Sequence, residues 1–260
     1  MNTDLVIIGD DLSVAWARTV VAVAAEAKHR ACHVITRIQD TTVEDPKIRE
    51  MADGILADRR LPPVDTVVNT LFPVGLAART TDPVDLAARY LKLLPTLKHL
   101  DRGNSRGTYF ERLVNYETSD GHLNQIAELV RRLKVEMGTD GPKTARYEVA
   151  LDQLTASLPV HHAEHDTNPM GFPCLSLLSF QLDNGHLHVV AHYRSHYLFQ
   201  RAYGNYLAVC RLLGYVCRLA GLVPGRATIV AGYAQVDKHR ASSVEVLREY
   251  LNTDQLTLAP

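Results

Sequence analysis

Of the four cysteines in the chain, Cys174 is the one whose neighbours bear on reactivity. It follows Phe172-Pro173 and opens the run CLSLLSFQL; Arg194-Ser195 comes twenty residues later, at the end of HLHVVAHYRS. A thiol reacts as its thiolate, which is populated where a cation or polar donors stand beside it. The competing reading is a cysteine that fills a core as an inert small hydrophobe. The two runs flank Asp183-Asn184-Gly185, and Asn-Gly between β-rich segments signals a hairpin.

Other reactive residue types carry less. Cys32, Cys210 and Cys217 form no C-x-x-C spacing, and Cys210 and Cys217, seven residues apart in a helical pattern, share one helix face. Neither a disulfide framework nor a zinc ribbon is expected. His161, His162 and His165 stand with Glu164 and Asp166 in a polar stretch. They lack the H-E-x-x-H frame of a helical zinc site, so a solvated loop is expected there and no metal. His186, His188 and His192 share one face of a strand pattern, as simple alternation produces.

These residues must be positioned by a chain of 260 residues with 46% apolar content, enough to bury a sizeable core. Twenty-eight basic against 29 acidic residues leave a net charge of −1, so no general pull toward a nucleic-acid polymer or anionic lipid is expected. The acidic start MNTDLVIIGDD lacks the basic region of a signal peptide, and no apolar run reaches membrane-spanning length. The reducing cytoplasm is the expected compartment. Periodicity predicts helices over 11–27, 82–100, 123–137, 203–222 and 244–252. It predicts strands over 32–38, 144–152 and 227–236 besides the hairpin. One α+β domain over 1–260, with helices packed on a sheet, is the economical arrangement.

The stretch 171–239 resembles the thymidylate synthases and their pyrimidine hydroxymethylase relatives. That family places a nucleophilic cysteine after a proline, then a hairpin, an Arg-Ser pair, and an Asn opening a long apolar helix. Here these are Pro173-Cys174, Asp183-Asn184-Gly185, Arg194-Ser195 and Asn205, followed by GLVPG at 221–225. Upstream, GTYFERL (107–113), the helix over 123–137 and a strand bearing Arg146 follow the family's order of elements. The resemblance implies a mixed β-sheet packed with helices and a homodimer. It implies a transferase of nucleotide biosynthesis, a methyltransferase or hydroxymethylase, taking its one-carbon unit from 5,10-methylenetetrahydrofolate. Cys174 would add to carbon 6 of a pyrimidine nucleotide, making carbon 5 nucleophilic.

By the same resemblance Arg194 and Ser195 bind the phosphate, with Arg194 also near the thiolate. Asn205 reads the polar edge of the base, and keeping Asn where deoxycytidylate hydroxymethylases have Asp leans toward uracil. An N-cap role for Asn205 is compatible with this. Arg146 matches an arginine donated across the dimer to the partner's phosphate; the alternative is a plain strand arginine. Three positions depart from the family. Its pterin-anchoring Asp is Tyr197 here, its sugar-contacting His is Gln235, and its neighbouring Tyr is Asp237. Its catalytic Glu–Trp segment has no clear counterpart, and Asp85 is the nearest acidic candidate. Asp237 or Gln235 is expected to contact a ribose, since a carboxylate accepts from a vicinal diol; the alternative for Asp237 is a solvent-facing strand end. The reading is a carbon-5 one-carbon transferase acting through a covalent cysteine adduct, with hydroxymethylation ahead of methylation. The alternatives are a nucleotide-binding protein with altered catalysis and a C–C bond former on a non-nucleotide acceptor.

Overall fold

The computed structural model describes residues 5–257, except 102–103, 105–106, 119–120, 142, 146, 151–173 and 238–240. Arg146, Pro173 and the histidines at 161, 162 and 165 therefore lie outside the described residues.

Strand β1 (Val6–Asp11) turns directly into helix α1 (Leu12–Ala25), whose cap Asp11 accepts from the N–H groups of Ser13 and Val14. The junction has no room for a side chain: a Cβ on Gly9 would stand 2.3 Å from the Ala15 nitrogen. β2 (Arg30–Asp40) follows, then α2 (Pro46–Asp58), α3 (Val64–Leu71), α4 (Val74–Ala77), α5 (Pro83–Leu100) and α6 (Tyr109–Val114). β3 (Tyr116–Thr118) and β4 (Gly121–Leu123) pair with each other ahead of α7 (Gln125–Met137) and β5 (Tyr147–Ala150). The last third holds β6 (Leu175–Asp183), β7 (His186–Tyr193), the short β8 (His196–Tyr197) and α8 (Tyr203–Ala220). β9 (Val223–Gln235) and α9 (Ala241–Thr257) close it.

The main sheet runs β1-β2-β9-β7-β6-β5, with β8 also on β9. Its pairings are mixed: β1–β2, β7–β9 and β8–β9 are parallel, while β2–β9, β6–β7 and β5–β6 are antiparallel. One face is covered. There α8, buried on nearly all sides, packs against β9, β7, α1, α3 and α7. Gly204 permits its crossing with α3, because a Cβ there would meet the Val67 Cβ at 2.6 Å. Apolar residues pointing the other way stay wetter: Val6 and Ile8 are exposed, and Ile35, Leu177, Val190 and Val230 are half-buried. Among the described residues no helix is long and apolar enough to cross a membrane.

The expected helices and strands are present, with shifted ends. β1 and α2 to α4 were not signalled by apolar periodicity. For α2 the cue was the cap, because Asp45 accepts from Lys47 and Ile48 and Pro46 opens the helix. Asn205 does not cap α8. The helix starts at Tyr203, out of a π-type turn at Leu198–Ala202, and Asn205 lies inside it.

Candidate active site

The hairpin signal corresponds to a two-residue turn. Asn184 and Gly185 take φ of 47° and 79°, and Asp183 pairs with His186. Positive φ at both central residues matches the twist of the flanking strands and sets the register. That register holds as far as Leu177 opposite His192; past a one-residue shift Leu175 lies opposite Tyr193, and the Arg194 N–H donates to the Cys174 carbonyl at 2.8 Å. Two residues far apart in sequence thus become backbone neighbours. The register shifts between Leu175 and Leu177, an irregularity of the kind that re-aims a side chain at a strand end.

Arg194 and Ser195 occupy the gap between β7 and β8, where the chain leaves β9 and rejoins it. Tyr193 pairs with Ala231 and His196 with Ala234. Gly232 faces that gap, and a Cβ on it would stand 3.0 Å from the Arg194 carbonyl oxygen. Cys174 and Ser195 are half-buried and Arg194 is exposed. Cys210 and Cys217 are enclosed within α8, where burial pushes both thiols up to about 12. Cys32 is exposed on β2. Cys174 alone combines partial access with a neighbouring guanidinium-bearing residue.

Behind Cys174 lies a polar layer that sequence reasoning missed. The Cys174 N–H donates to the Tyr109 hydroxyl at 3.2 Å, which ties the start of β6 to the first turn of α6. Burial and then the charge of Cys174 raise the Tyr109 pKa, while N–H donors from Cys174 and Leu175 and the Arg201 guanidinium oppose them. The signal was GTYFERL: Thr108 and Glu111 form a reciprocal capping box that fixes Tyr109 at the helix start. Tyr193, fully buried beside Cys174, stacks on His196 with ring centroids 4.2 Å apart and planes at 7°. His196 Nε2 meets Asn205 Nδ2 at 3.0 Å, and burial pushes this imidazole down to about 3, so it stays neutral. Tyr193 Oη, His196 Nδ1 and Asn205 Oδ1 are buried without a hydrogen-bond partner among the described residues.

The remaining candidates divide. Tyr197 pairs with Gln235 across β8–β9, and both are half-buried. Asp237 does not face solvent. It is 5% exposed, and its Oδ1 accepts from the N–H groups of Phe199 (2.9 Å) and Gln200 (3.3 Å), capping the turn ahead of α8. Its Oδ2 is buried without a partner among the described residues, and burial raises its pKa. Asp85 is not brought to this group. It sits in the first turn of α5 with both carboxylate oxygens 2.9 Å from Arg89 Nε, and its charge is felt at Tyr215. Tyr215 lies ten residues along α8 from Asn205, roughly 15 Å at the helical rise. Among the described residues no cluster of three His, Cys, Asp or Glu could hold a metal ion.

No family profile and no curated protein matches the chain. Among solved structures it is similar to thymidylate synthase from T4 phage, at 17% identity over 90% of this chain and 80% of that one, with a TM-score of 0.54. The fold is a thymidylate-synthase-like α+β fold, a mixed sheet packed with helices.

Proposed function

We propose that the protein is a pyrimidine nucleotide carbon-5 one-carbon transferase working through a covalent Cys174 adduct. The observation that carries this reading is the 2.8 Å backbone bond between Arg194 and Cys174, in a thymidylate-synthase-like fold. It makes Cys174 and Arg194 backbone neighbours at strand ends, where Tyr109 accepts from the Cys174 N–H and Gly232 leaves room for the Arg194 carbonyl, and the reading takes the thiol and the guanidinium to act together. The thiolate adds to carbon 6 of the pyrimidine, and the electron pair of the 5,6 double bond moves to carbon 5 and the carbon-4 oxygen. After carbon 5 has accepted the one-carbon unit and lost its proton, the double bond re-forms and the thiolate leaves. Arg194 and Ser195 hold the phosphate, and Asn205 the base edge.

The donor that the family resemblance implies is methylenetetrahydrofolate, which would supply a carbon at the formaldehyde oxidation level. At the position that anchors the pterin in that family this chain offers the phenol of Tyr197 beside the amide of Gln235. Neither is a charged acceptor, so the donor set does not fit that anchor. This favours hydroxymethylation, with water completing the product, over methylation, which needs hydride from a well-placed folate. The open, partly apolar sheet face around Val6, Ile8 and Val230 supports a homodimer, which sedimentation would test.

The test is direct. The protein is incubated with 5-fluoro-UMP, 5-fluoro-dUMP or 5-fluoro-CMP, with and without methylenetetrahydrofolate, and its mass is measured. A nucleotide adduct on Cys174 is expected. Binding without an adduct under any condition would leave a nucleotide-binding protein with altered catalysis.

A further inference from the structure

The pair formed by His196 and Asn205 has a geometry that assigns it a task. Asn205 lies within α8 and is 3% exposed; His196 lies in β8, stacked on the Tyr193 ring, with the Tyr206 ring centroid 5.7 Å away and tilted at 55°. Stacking and burial leave the imidazole no freedom to swing, so its Nε2 stays 3.0 Å from Asn205 Nδ2. An amide nitrogen only donates, so that contact requires Nε2 to carry the lone pair and Nδ1 the proton. The carboxamide oxygen lies on the other side of the amide carbon, where Oδ1 has no partner among the described residues. A buried acceptor left without a donor is destabilising, and native interiors keep few of them. A ligand that donates an N–H to Oδ1 would remove that cost.

We propose that His196 is a positioning residue which, by accepting from Asn205 Nδ2, turns Oδ1 toward the base and selects uracil over cytosine. The inference rests on the pyrimidine-nucleotide reading above. Uracil presents an N3–H donor flanked by carbonyl oxygens, and Asn205 in this orientation offers an acceptor plus the second N–H of its amide. Cytosine presents a bare N3 and an amino group, which set a lone pair against Oδ1 and a donor against a donor. To read cytosine the amide must turn over, and His196 must then move its proton to Nε2. Selectivity is thus held by an imidazole tautomer that need not touch the substrate.

Two measurements on the 260-residue protein test this. Nitrogen-15 NMR of histidine-labelled protein, with the His196 signal assigned by its loss in His196→Gln, is expected to show a protonated Nδ1 and an unprotonated Nε2. Calorimetric titration with UMP and CMP, and with their deoxy forms, is expected to show a uracil preference. His196→Phe keeps a flat ring in the stack and removes the acceptor, so it should reduce that preference at least about tenfold, or 1.4 kcal/mol. His196→Gln, whose side-chain oxygen accepts from Nδ2, should retain most of it, and it also serves if the Phe variant does not fold. A proton on Nε2, or an unchanged uracil-to-cytosine ratio in His196→Phe, overturns the inference alone. Uptake of neither nucleotide by the unmodified protein overturns the proposed function and the inference with it.

Discussion

Two polar clusters flank the first turn of α8, and they differ in how completely they are satisfied. On one side Arg49 donates from Nε to Asp53 at 2.7 Å, and its terminal nitrogens lie 3.0 Å from Glu44 and Asp65. Glu44 also accepts from the Tyr203 hydroxyl, which shares a bond with Ser13, and Tyr250 reaches Asp45 from α9. Burial alone would lower the Arg49 pKa, but its hydrogen bonds to Asp53, Glu44 and Asp65 outweigh it and the value rises. On the other side Tyr193, His196 and Asn205 each keep a buried polar atom unpaired among the described residues. A closed network locks elements together, here α1, α2, α3, α8 and α9. An open one leaves buried polar atoms that cost stability until something pairs with them. Cys174 and Arg194 adjoin the open one.

The largest effect should come from the thiol. Cys174→Ala is expected to abolish turnover and any mass adduct with a 5-fluoropyrimidine nucleotide while leaving thermal unfolding close to the unmodified protein. A variant that still turns over would transfer the chemistry elsewhere and dissolve the contrast between the clusters. Next comes Arg194→Ala, expected to weaken nucleotide binding by at least about 2 kcal/mol, the range of a hydrogen bond to a charged group. That is about thirtyfold in Kd. Calorimetry with nucleotide and nucleoside checks it, because equal affinities in the unmodified protein would remove the phosphate role.

The closed cluster should respond in the opposite way. Arg49→Leu takes the shared cation from Glu44 and Asp53, which keep only the Tyr203 hydroxyl, the more distant Arg211 and the Val64 N–H, and stability is expected to fall by about 2 kcal/mol. The figure is kept below that of a fully buried pair because Asp65 is largely exposed and solvent screens it. Denaturant unfolding measures the loss, and nucleotide affinity should stay within about twofold. A large change in affinity would mean that the two clusters act as one.

How much of this was legible in the residues follows from range. The hairpin was readable because Asn184-Gly185 demands positive φ, a local property of two residues. The bond between Cys174 and Arg194 was not readable from that turn alone, because the register shifts by one residue between Leu175 and Leu177. The His196–Asn205 contact was not legible, because the π-type turn rotates the entry to α8 and moves Asn205 off the cap position. Nor was the isolation of Asp85. Its pairing with Arg89 is local, but its distance from Cys174 depends on how α5 packs, which no short motif encodes. Asp237 resembled a solvent-facing strand end by its place beside Lys238, yet the chain folds back to lay Phe199 and Gln200 N–H groups on it.

Asp237 therefore supports the smallest and most discriminating prediction. Its Oδ1 is committed to two backbone donors, so only Oδ2 is left to accept from a ribose hydroxyl. In Asp237→Asn the amide oxygen must keep the backbone donors, which places an NH2 donor where the free acceptor was. The fold should survive. Burial raises the carboxyl above its ordinary 3.8 in the native state, so its contribution to stability is fully present below that value. It is lost as pH rises through the raised native pKa. Asn carries no such term, so the variant should gain on the unmodified protein in urea unfolding as pH climbs from about 3.8 toward neutrality. In the same variant the ratio of kcat/KM for ribo- over deoxyribonucleotide should fall several-fold, because a site built to accept from a hydroxyl loses its preference with the acceptor. A ratio unmoved by this change and by Gln235→Ala would make Asp237 solely a cap for the turn, and would place it with the closed cluster of Arg49.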